Sequence, residues 1–252
     1  MYRLEGHGAV ITGGNGGLGL AMATGLAKAG ARVAIWGRNE EKNQRALNEL
    51  RLIQPHSEAF KCDVTKPDQV DSVFQETVER LGKVDSCFAN AGAAGRAAPF
   101  HKLSVTDWQS AVELNVLSVV STFRAATRHY RDFQKPGKLI ATSSIAAKVG
   151  LQGGTTYCTT KSAITGLIQA LSIELGKYDI QANAILPGYI PTEVSEAGSD
   201  AFRAACERRS ASGRLGEAKD LEELAVYLAS PGSNLLTGQS IVIDGGYTLH
   251  PL

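Results

Sequence analysis

The chain carries 252 residues, 43% hydrophobic and 20% charged, with 26 Lys and Arg against 25 Asp and Glu. That length suits one large α/β domain or two small ones, and the apolar fraction excludes a mostly disordered chain. A formal net charge of +1 removes any global electrostatic pull toward nucleic acid or anionic lipid, leaving local basic patches as the only carriers of such contacts. No uncharged apolar run approaches the ~18 residues of a membrane-spanning helix. The start, Met1-Tyr2-Arg3-Leu4-Glu5-Gly6, lacks the parts of a signal peptide. A cytoplasmic protein without membrane or nucleic-acid partners is expected. Cys62, Cys87, Cys158 and Cys206 are widely spaced and read as reduced thiols, with no metal site and no disulfide framework. The 27 glycines exceed the ~7% usual in soluble domains and need placing.

In chain order, Gly8 to Thr12 reads as a strand, followed by glycines and a helix beginning near Gly19. Arg32 to Trp36 is a second strand and Asn39 to Leu52 a charged helix. Glu58 to Val64 is a third strand, followed by a helix from Asp68 to Leu81 with Val70, Val73, Phe74, Val78 and Leu81 on one face. A strand from Val84 to Ala89 leads to a long helix over Thr106 to Arg131, with Ser104 or Thr106 as its N-cap. The pattern continues with a strand at Lys138 to Ser143, a helix at Thr156 to Lys177, and strands at Gln181 to Leu186 and Ser240 to Asp244. Strands alternating with helices predict an α/β fold: a single doubly wound Rossmann domain over residues 1–252, with a seven-stranded, mostly parallel sheet and helices on both faces. Gly188 to Lys219 is long and weakly patterned, which predicts a substrate lid within that domain.

Thr12-Gly13-Gly14-Asn15-Gly16-Gly17-Leu18-Gly19 joins the first strand to the first helix. Glycines there let a phosphate approach backbone N–H groups at a helix N-terminus. A plain tight turn uses the same residues, and the G-x-x-x-G-x-G spacing is modest evidence alone. The second strand ends at Trp36-Gly37-Arg38. An acid at position 37 would accept from an adenosine ribose 2′-hydroxyl; Gly37 and the following Arg38 instead suit a 2′-phosphate, or leave Arg38 solvated at a helix start. NADP(H) is favoured, with NAD(H) as the alternative. Farther on, Tyr157 and Lys161 stand four apart on a predicted helix, and Ser144 lies at the carboxyl end of a predicted strand. All three face one crevice if the sheet is parallel.

With these motifs stand Cys62-Asp63-Val64, Asn90-Ala91-Gly92, Asn115, Ser143-Ser144, Pro187-Gly188 and Asp244-Gly245-Gly246. Together and in this order, they make the chain resemble a short-chain dehydrogenase/reductase of the roughly 250-residue type, similar to both 3-oxoacyl-ACP reductases and gluconate-type dehydrogenases. The resemblance runs from Thr12 to Asp244. It implies an oxidoreductase acting on a ketone or secondary alcohol, with Tyr157 as acid/base, Ser144 donating to the reacting oxygen, and Lys161 lowering the tyrosine pKa and holding the nicotinamide ribose. Moving a tyrosine from ~10 to ~7 needs roughly 4 kcal/mol of phenolate stabilisation. It also implies a proton-relay role for Asn115; a helix-kinking or core-bonded side chain is the other reading, and both can hold together. By the same likeness, Gly13, Asn15, Gly16, Gly17, Leu18 and Gly19 line the cofactor phosphates, and Asp63 and Val64 meet the adenine. Asn90, Ala91 and Gly92 shape the crevice, and Ile190 and Thr192 meet the carboxamide and a phosphate. One departure concerns Gly16, where many NADP-using relatives carry a basic residue.

Substrate-facing segments are expected at Ala93 to Phe100, Ile145 to Gly154 and the lid. Arg96, the first segment's fixed charge, suits a substrate carboxylate or phosphate, with a solvated loop arginine as the commoner alternative; Glu193, Arg203, Arg208 and Arg209 are the lid's, and helix surface explains them equally well. The family likeness implies a homotetramer built through the long middle helices and C-terminal strands. A non-catalytic dinucleotide sensor or scaffold is the competing reading, and the combined presence of Asn115, Ser144, Tyr157 and Lys161 argues against it. An epimerase of related fold would need a larger C-terminal domain than the eight residues after Asp244.

Overall fold

Apolar residues that alternate along each strand send side chains to both faces of a sheet, so both faces need helical cover. In the computed structural model, which describes residues 2–192 and 200–249, this cover is complete. Seven strands form one sheet: β1 (Gly8–Thr12), β2 (Arg32–Gly37), β3 (Glu58–Lys61), β4 (Ser86–Ala89), β5 (Gly137–Thr142), β6 (Ile180–Pro187) and β7 (Ser240–Ile243). Their order is β3-β2-β1-β4-β5-β6-β7, and every neighbouring pair is parallel. The sheet is thus wholly, not mostly, parallel. The order in which strands are added reverses between β1 and β4, which opens a crevice at the carboxyl ends of those strands.

The helices are α1 (Gly17–Lys28), α2 (Glu40–Ile53), α3 (Pro67–Leu81), α4 (Val105–Val112), α5 (Ser118–Asp132), α6 (Thr155–Leu175), α7 (Asp200–Arg209) and α8 (Glu222–Ala229). Two cores result. Val10, Ala34 and Trp36 pack with Phe74 of α3, Phe123 of α5, and Ile164 and Ile168 of α6. Ala9, Ile11, Val33 and Ile35 face the other way, onto Met22 and Leu26 of α1, Leu50 of α2, and Ala225 and Val226 of α8. The period of two along β1 and β2 divides the residues between them. Trp36 buries its ring in the first core and donates Nε1–H to Thr77 Oγ1 at 2.9 Å, as a buried indole must.

Differences from the sequence reading have local causes. The strand expected to reach Val64 stops at Lys61, because its partner β2 ends at Gly37, opposite Lys61 in the register. The long middle helix begins at Val105 behind Ser104, which with Asp107 forms a capping box. A five-residue π-type turn, Glu113–Leu117, then divides it into α4 and α5. Helix α6 gives way after Leu175 to one tight turn ending at Asp179, whose φ is 57°. Helix α8 lay outside the expected elements, although Leu221, Ala225, Val226 and Leu228 are all buried. Its apolar residues run without a break from Leu224 to Ala229, which gives a weak periodic signal. Within the predicted lid, α7 forms over Asp200–Arg209, while positions 193–199, which include Glu193, lie outside the described residues.

Candidate active site

A backbone bond ties the glycine-rich turn to the neighbouring strand end. Gly13 N–H donates to the Trp36 carbonyl at 2.8 Å. A Cβ on Gly19 would lie 2.1 Å from the Gly13 carbonyl oxygen and 2.6 Å from Asn90 Nδ2, so α1 begins pressed against the loop. We expect Gly19→Ala to disrupt this turn, weakening nucleotide binding by more than about tenfold and lowering Tm. A fluorescence titration paired with thermal melting checks both, and unchanged affinity would contradict the fit. Across the crevice, Thr12 Oγ1 accepts from the N–H groups of Asn90 and Ala91, each at 3.0 Å. Asn90 Nδ2 donates to the Thr12 and Gly13 carbonyls at 3.1 and 3.3 Å. Thr12 thus pins the segment from Asn90 to the start of the glycine turn, a role that shows only once the two strand ends are side by side.

Helix α1 has no side-chain cap, since Gly16 precedes it. Its first-turn N–H groups therefore present a ready acceptor site for a phosphate. Thr192 stands opposite: a Cβ on Gly17 would lie 3.3 Å from its Cγ2. Leu18 is half-buried beside the turn, and Ile190 is buried in the core that holds α1. At the far end, Arg38 is exposed immediately after β2. Burial works to raise the Asp63 carboxyl, but bonds from the Thr65 hydroxyl and N–H, with the charges of Arg38 and Lys66, outweigh it and hold the group below its usual range. Arg38 and Asp63 thus share one end of the crevice, with Val64 buried beneath. The uncapped helix, the glycine cradle and Arg38 fit a dinucleotide laid across the strand ends.

The second cluster lies at the end of β5. Ser144 follows that strand, with its hydroxyl close enough to the Tyr157 phenol to draw its pKa down; Ser144 Oγ accepts from Ala146 N–H at 3.1 Å. One turn along α6, Lys161 is buried, with Nζ 5.7 Å from the Tyr157 ring centroid and donating to the Thr142 carbonyl at 2.8 Å. Ser143 Oγ donates to the Lys161 carbonyl at 2.8 Å and ties α6 to β5. Burial pushes the Tyr157 phenol upward, opposed by the Ser144 hydroxyl. The same desolvation lowers Lys161 to about 8.

Asn115 sits in the π-type turn and is buried. Its Oδ1 accepts from Ala93 N–H at 2.9 Å, while Nδ2 donates to the Ala93 carbonyl at 2.9 Å and to Thr160 Oγ1 at 3.2 Å. The amide clamps the segment after Gly92 to the residue preceding Lys161. A Cβ on Gly92 would meet Asn115 Oδ1 at 3.0 Å and Lys161 Nζ at 3.4 Å, so these three positions converge. The core-bonded alternative for Asn115 is therefore realised.

Other charges do not converge. Arg96 pairs with Asp107 at 3.2 Å and bonds the Lys102 carbonyl, stapling its loop to the start of α4. On α7, Arg209 lies 4.9 Å from the Tyr247 ring centroid and bonds the Tyr247 carbonyl. A cavity of about 320 Å³ beneath α7 is lined by Ile190, Cys206, Ser210 and Tyr247 among others, and by none of Ser144, Tyr157 or Lys161. All four cysteines are free. Among the described residues no His/Cys/Asp/Glu cluster suits a metal ion, and no helix is long and apolar enough to cross a membrane.

Known proteins carry the same frame. A family model described as enoyl-(acyl carrier protein) reductase matches residues 13–248. A 3-oxoacyl-[acyl-carrier-protein] reductase of Chlamydia pneumoniae is 31% identical over 245 residues, covering 97% of this chain and 98% of its own. A 5-keto-D-gluconate 5-reductase of Escherichia coli (strain K12) is 31% identical over 248 residues, with 98% and 97% covered. A crystal structure of a short-chain type dehydrogenase/reductase from Mycobacterium marinum superposes with a TM-score of 0.92 at 35% identity, covering 98% of this chain and 97% of that one. With the glycine cradle, the strand order and this coverage in agreement, the chain belongs to the short-chain dehydrogenase/reductase family, oxidoreductases that use nicotinamide cofactors.

Proposed function

We propose that this protein interconverts a ketone and a secondary alcohol with NADP(H), using Tyr157 as the acid/base. The observation that carries this reading is the meeting of Ser144, Tyr157 and Lys161 at the carboxyl end of β5, in the crevice that also holds the uncapped start of α1. NADP(H), when bound, supplies or accepts the hydride at the substrate carbon. In reduction, the Tyr157 hydroxyl gives its proton to the carbonyl oxygen while Ser144 donates a hydrogen bond to the same oxygen. In oxidation, Tyr157 takes that proton back. Lys161⁺ favours the phenolate electrostatically, and its rigid bond to the Thr142 carbonyl fixes its place. Asn115 keeps the floor of the crevice in register with α6. Asn15, Gly16, Gly17 and Leu18 hold the pyrophosphate; Asp63 and Val64 hold the adenine; Asn90, Ala91 and Gly92 line the riboses; Ile190 and Thr192 hold the nicotinamide end.

The preference for NADP(H) rests on Arg38 and on Gly37 in the place of an acid. Residues 1–252 act as one domain with a substrate lid over 188–219. Leu117 and Val120, exposed at 53% and 40% on the middle helix, and the edge strand β7 support burial in a homotetramer. The reading places the protein in the cytoplasm.

The test is loss of NADPH absorbance with a panel of 3-oxoacyl thioesters, keto sugar acids and cyclic ketones. No turnover with any member would sink the reading. Arg38→Ala should weaken NADPH binding by about 10- to 100-fold, the worth of a charge-assisted contact, with little change for NADH. Equal losses for both nucleotides would remove Arg38 from the 2′-phosphate site.

A further inference from the structure

Behind Arg38 lies a buried polar side chain that the catalytic and cofactor readings leave unused. Asn43, in the first turns of α2, is 4% exposed. Its Nδ2 donates to the Gly37 carbonyl at 2.9 Å and to the Phe60 carbonyl at 3.0 Å. Both amide hydrogens are thereby committed to backbone, which fixes the amide's orientation and leaves Oδ1 as an acceptor. Asn15 Nδ2 donates to that Oδ1 at 2.6 Å. One side chain thus joins the ends of β2 and β3 to the phosphate loop. The Gly37 carbonyl belongs to the peptide unit that leads into Arg38, so the bond from Asn43 also sets the direction in which Arg38 leaves the strand.

The same pair fills space. A Cβ on Gly37 would stand 2.2 Å from Asn15 Nδ2 and 2.4 Å from Asn43 Oδ1. An acidic side chain at position 37, the group that would accept from an unphosphorylated ribose, has no room while the two asparagines are bonded.

We propose that Asn43 is a nucleotide-specificity residue: through Asn15 and the Gly37 carbonyl it holds the phosphate loop and Arg38 in the arrangement that takes a 2′-phosphate, and with Asn15 it bars an acid from position 37. The proposal rests on the NADP(H) reading of the same crevice and assigns it a positioning residue. Asn43 touches no part of the nucleotide; it acts through Asn15 and the backbone of Arg38.

The experiment is a double-mutant cycle with Asn15→Ala, Asn43→Ala and the double variant. Kd values for NADPH and NADH are read by nucleotide fluorescence, with Tm alongside. Each single substitution is expected to weaken NADPH by about fivefold to tenfold, the scale of one lost hydrogen bond. In Asn43→Ala, NADH is expected to weaken less than NADPH, whereas Asn15→Ala, which also loses a pyrophosphate contact, weakens both; the double variant should lose no more than the more affected single. Additive losses would show that Asn43 does not act through Asn15. An unchanged NADPH Kd in Asn43→Ala, or equal losses for both nucleotides, would overturn its specificity role. If Asn43→Ala fails to fold, Asn43→Ser replaces it, and Asn15→Ala probes the same bond from the half-buried loop. A preference for NADH in the unsubstituted protein overturns the NADP(H) reading and with it the specificity role; the cycle, run with NADH, then decides whether the Asn15–Asn43 link still governs binding.

Discussion

Tyr157→Phe should lower kcat for ketone reduction by about 10²- to 10⁴-fold, the range of a lost general acid, and leave the NADPH Kd within about twofold. The phenyl ring keeps its volume on α6, so Thr156 and Lys161, both buried on that helix, retain their surroundings. Only the hydroxyl is lost. Burial raises the phenol and thus favours its neutral, proton-donating form; the Ser144 hydroxyl acts in the opposite direction, toward the phenolate that oxidation needs. A single group poised between two opposed influences can serve both directions of the reaction. Single-turnover rates and a fluorescence titration on the same preparation check the prediction. Retention of more than a tenth of kcat would assign the proton to another group.

Lys161→Met should abolish turnover and yet raise Tm in nucleotide-free protein at pH 7. The ammonium is buried with one protein acceptor, the Thr142 carbonyl, and burial moves its pKa from 10.5 to about 8. That displacement represents a penalty on the order of 3 kcal/mol for keeping the charge in the folded state. Methionine fills a similar volume without charge; leaving the Thr142 carbonyl without its donor returns about 1–2 kcal/mol of the gain. The net rise should be about 3–6 °C for a chain of this size.

The pH dependence follows from the sign of the shift. Between about pH 8 and pH 10.5 the unfolded chain holds the Lys161 proton more often than the folded one. This lysine's contribution to stability therefore improves as pH rises through that window, and its full penalty is present below it. The advantage of Lys161→Met should accordingly shrink toward pH 10. Melting curves at the two pH extremes check this, and a lower Tm at pH 7 would mean that the buried ammonium stabilises the protein. A lysine that costs stability and is kept is a group retained for its chemistry.

The sequence made legible whatever depends on local pattern. Val10 and Ile11, then Val33 and Ile35, read as strands because both faces of a parallel sheet are covered. Tyr157 and Lys161 read as one face because four residues make about one turn. What escaped depends on contacts between distant segments. Asn43 looked like a surface residue of a charged helix, and only the nearness of the Gly37 and Phe60 carbonyls makes it a core acceptor and donor. Arg96 offered itself as an anion site until Asp107, eleven residues on in sequence, closed on it. The break in the long middle helix is signalled in the sequence only by the helix-kinking reading of Asn115, since Glu113, Leu114 and Leu117 are ordinary helix formers. The turn forms where Asn115 reaches across to Ala93. Helix α8 escapes a pattern reading because Leu224 to Ala229 are apolar throughout, so no stripe of helical period stands out, although Ala225, Val226 and Leu228 pack into the core beside α1.

The two cores described for the sheet have a consequence for how such a protein diversifies. Helices α1, α2 and α8 share one core, and α3, α5 and α6 share the other, with β-strand side chains divided between them. The segment that carries Gly37, Arg38 and Asp63 is anchored in both, through Ile35 and Leu50 on one side and Trp36, Phe60 and Val64 on the other, while the helix of Tyr157 and Lys161 packs into the core of α3 and α5 alone. The sheet acts as a bulkhead. Changes of packing around α1 and α8 should add to those around α6 without compounding them, so the face beneath Tyr157 and Lys161 stays intact while the other varies.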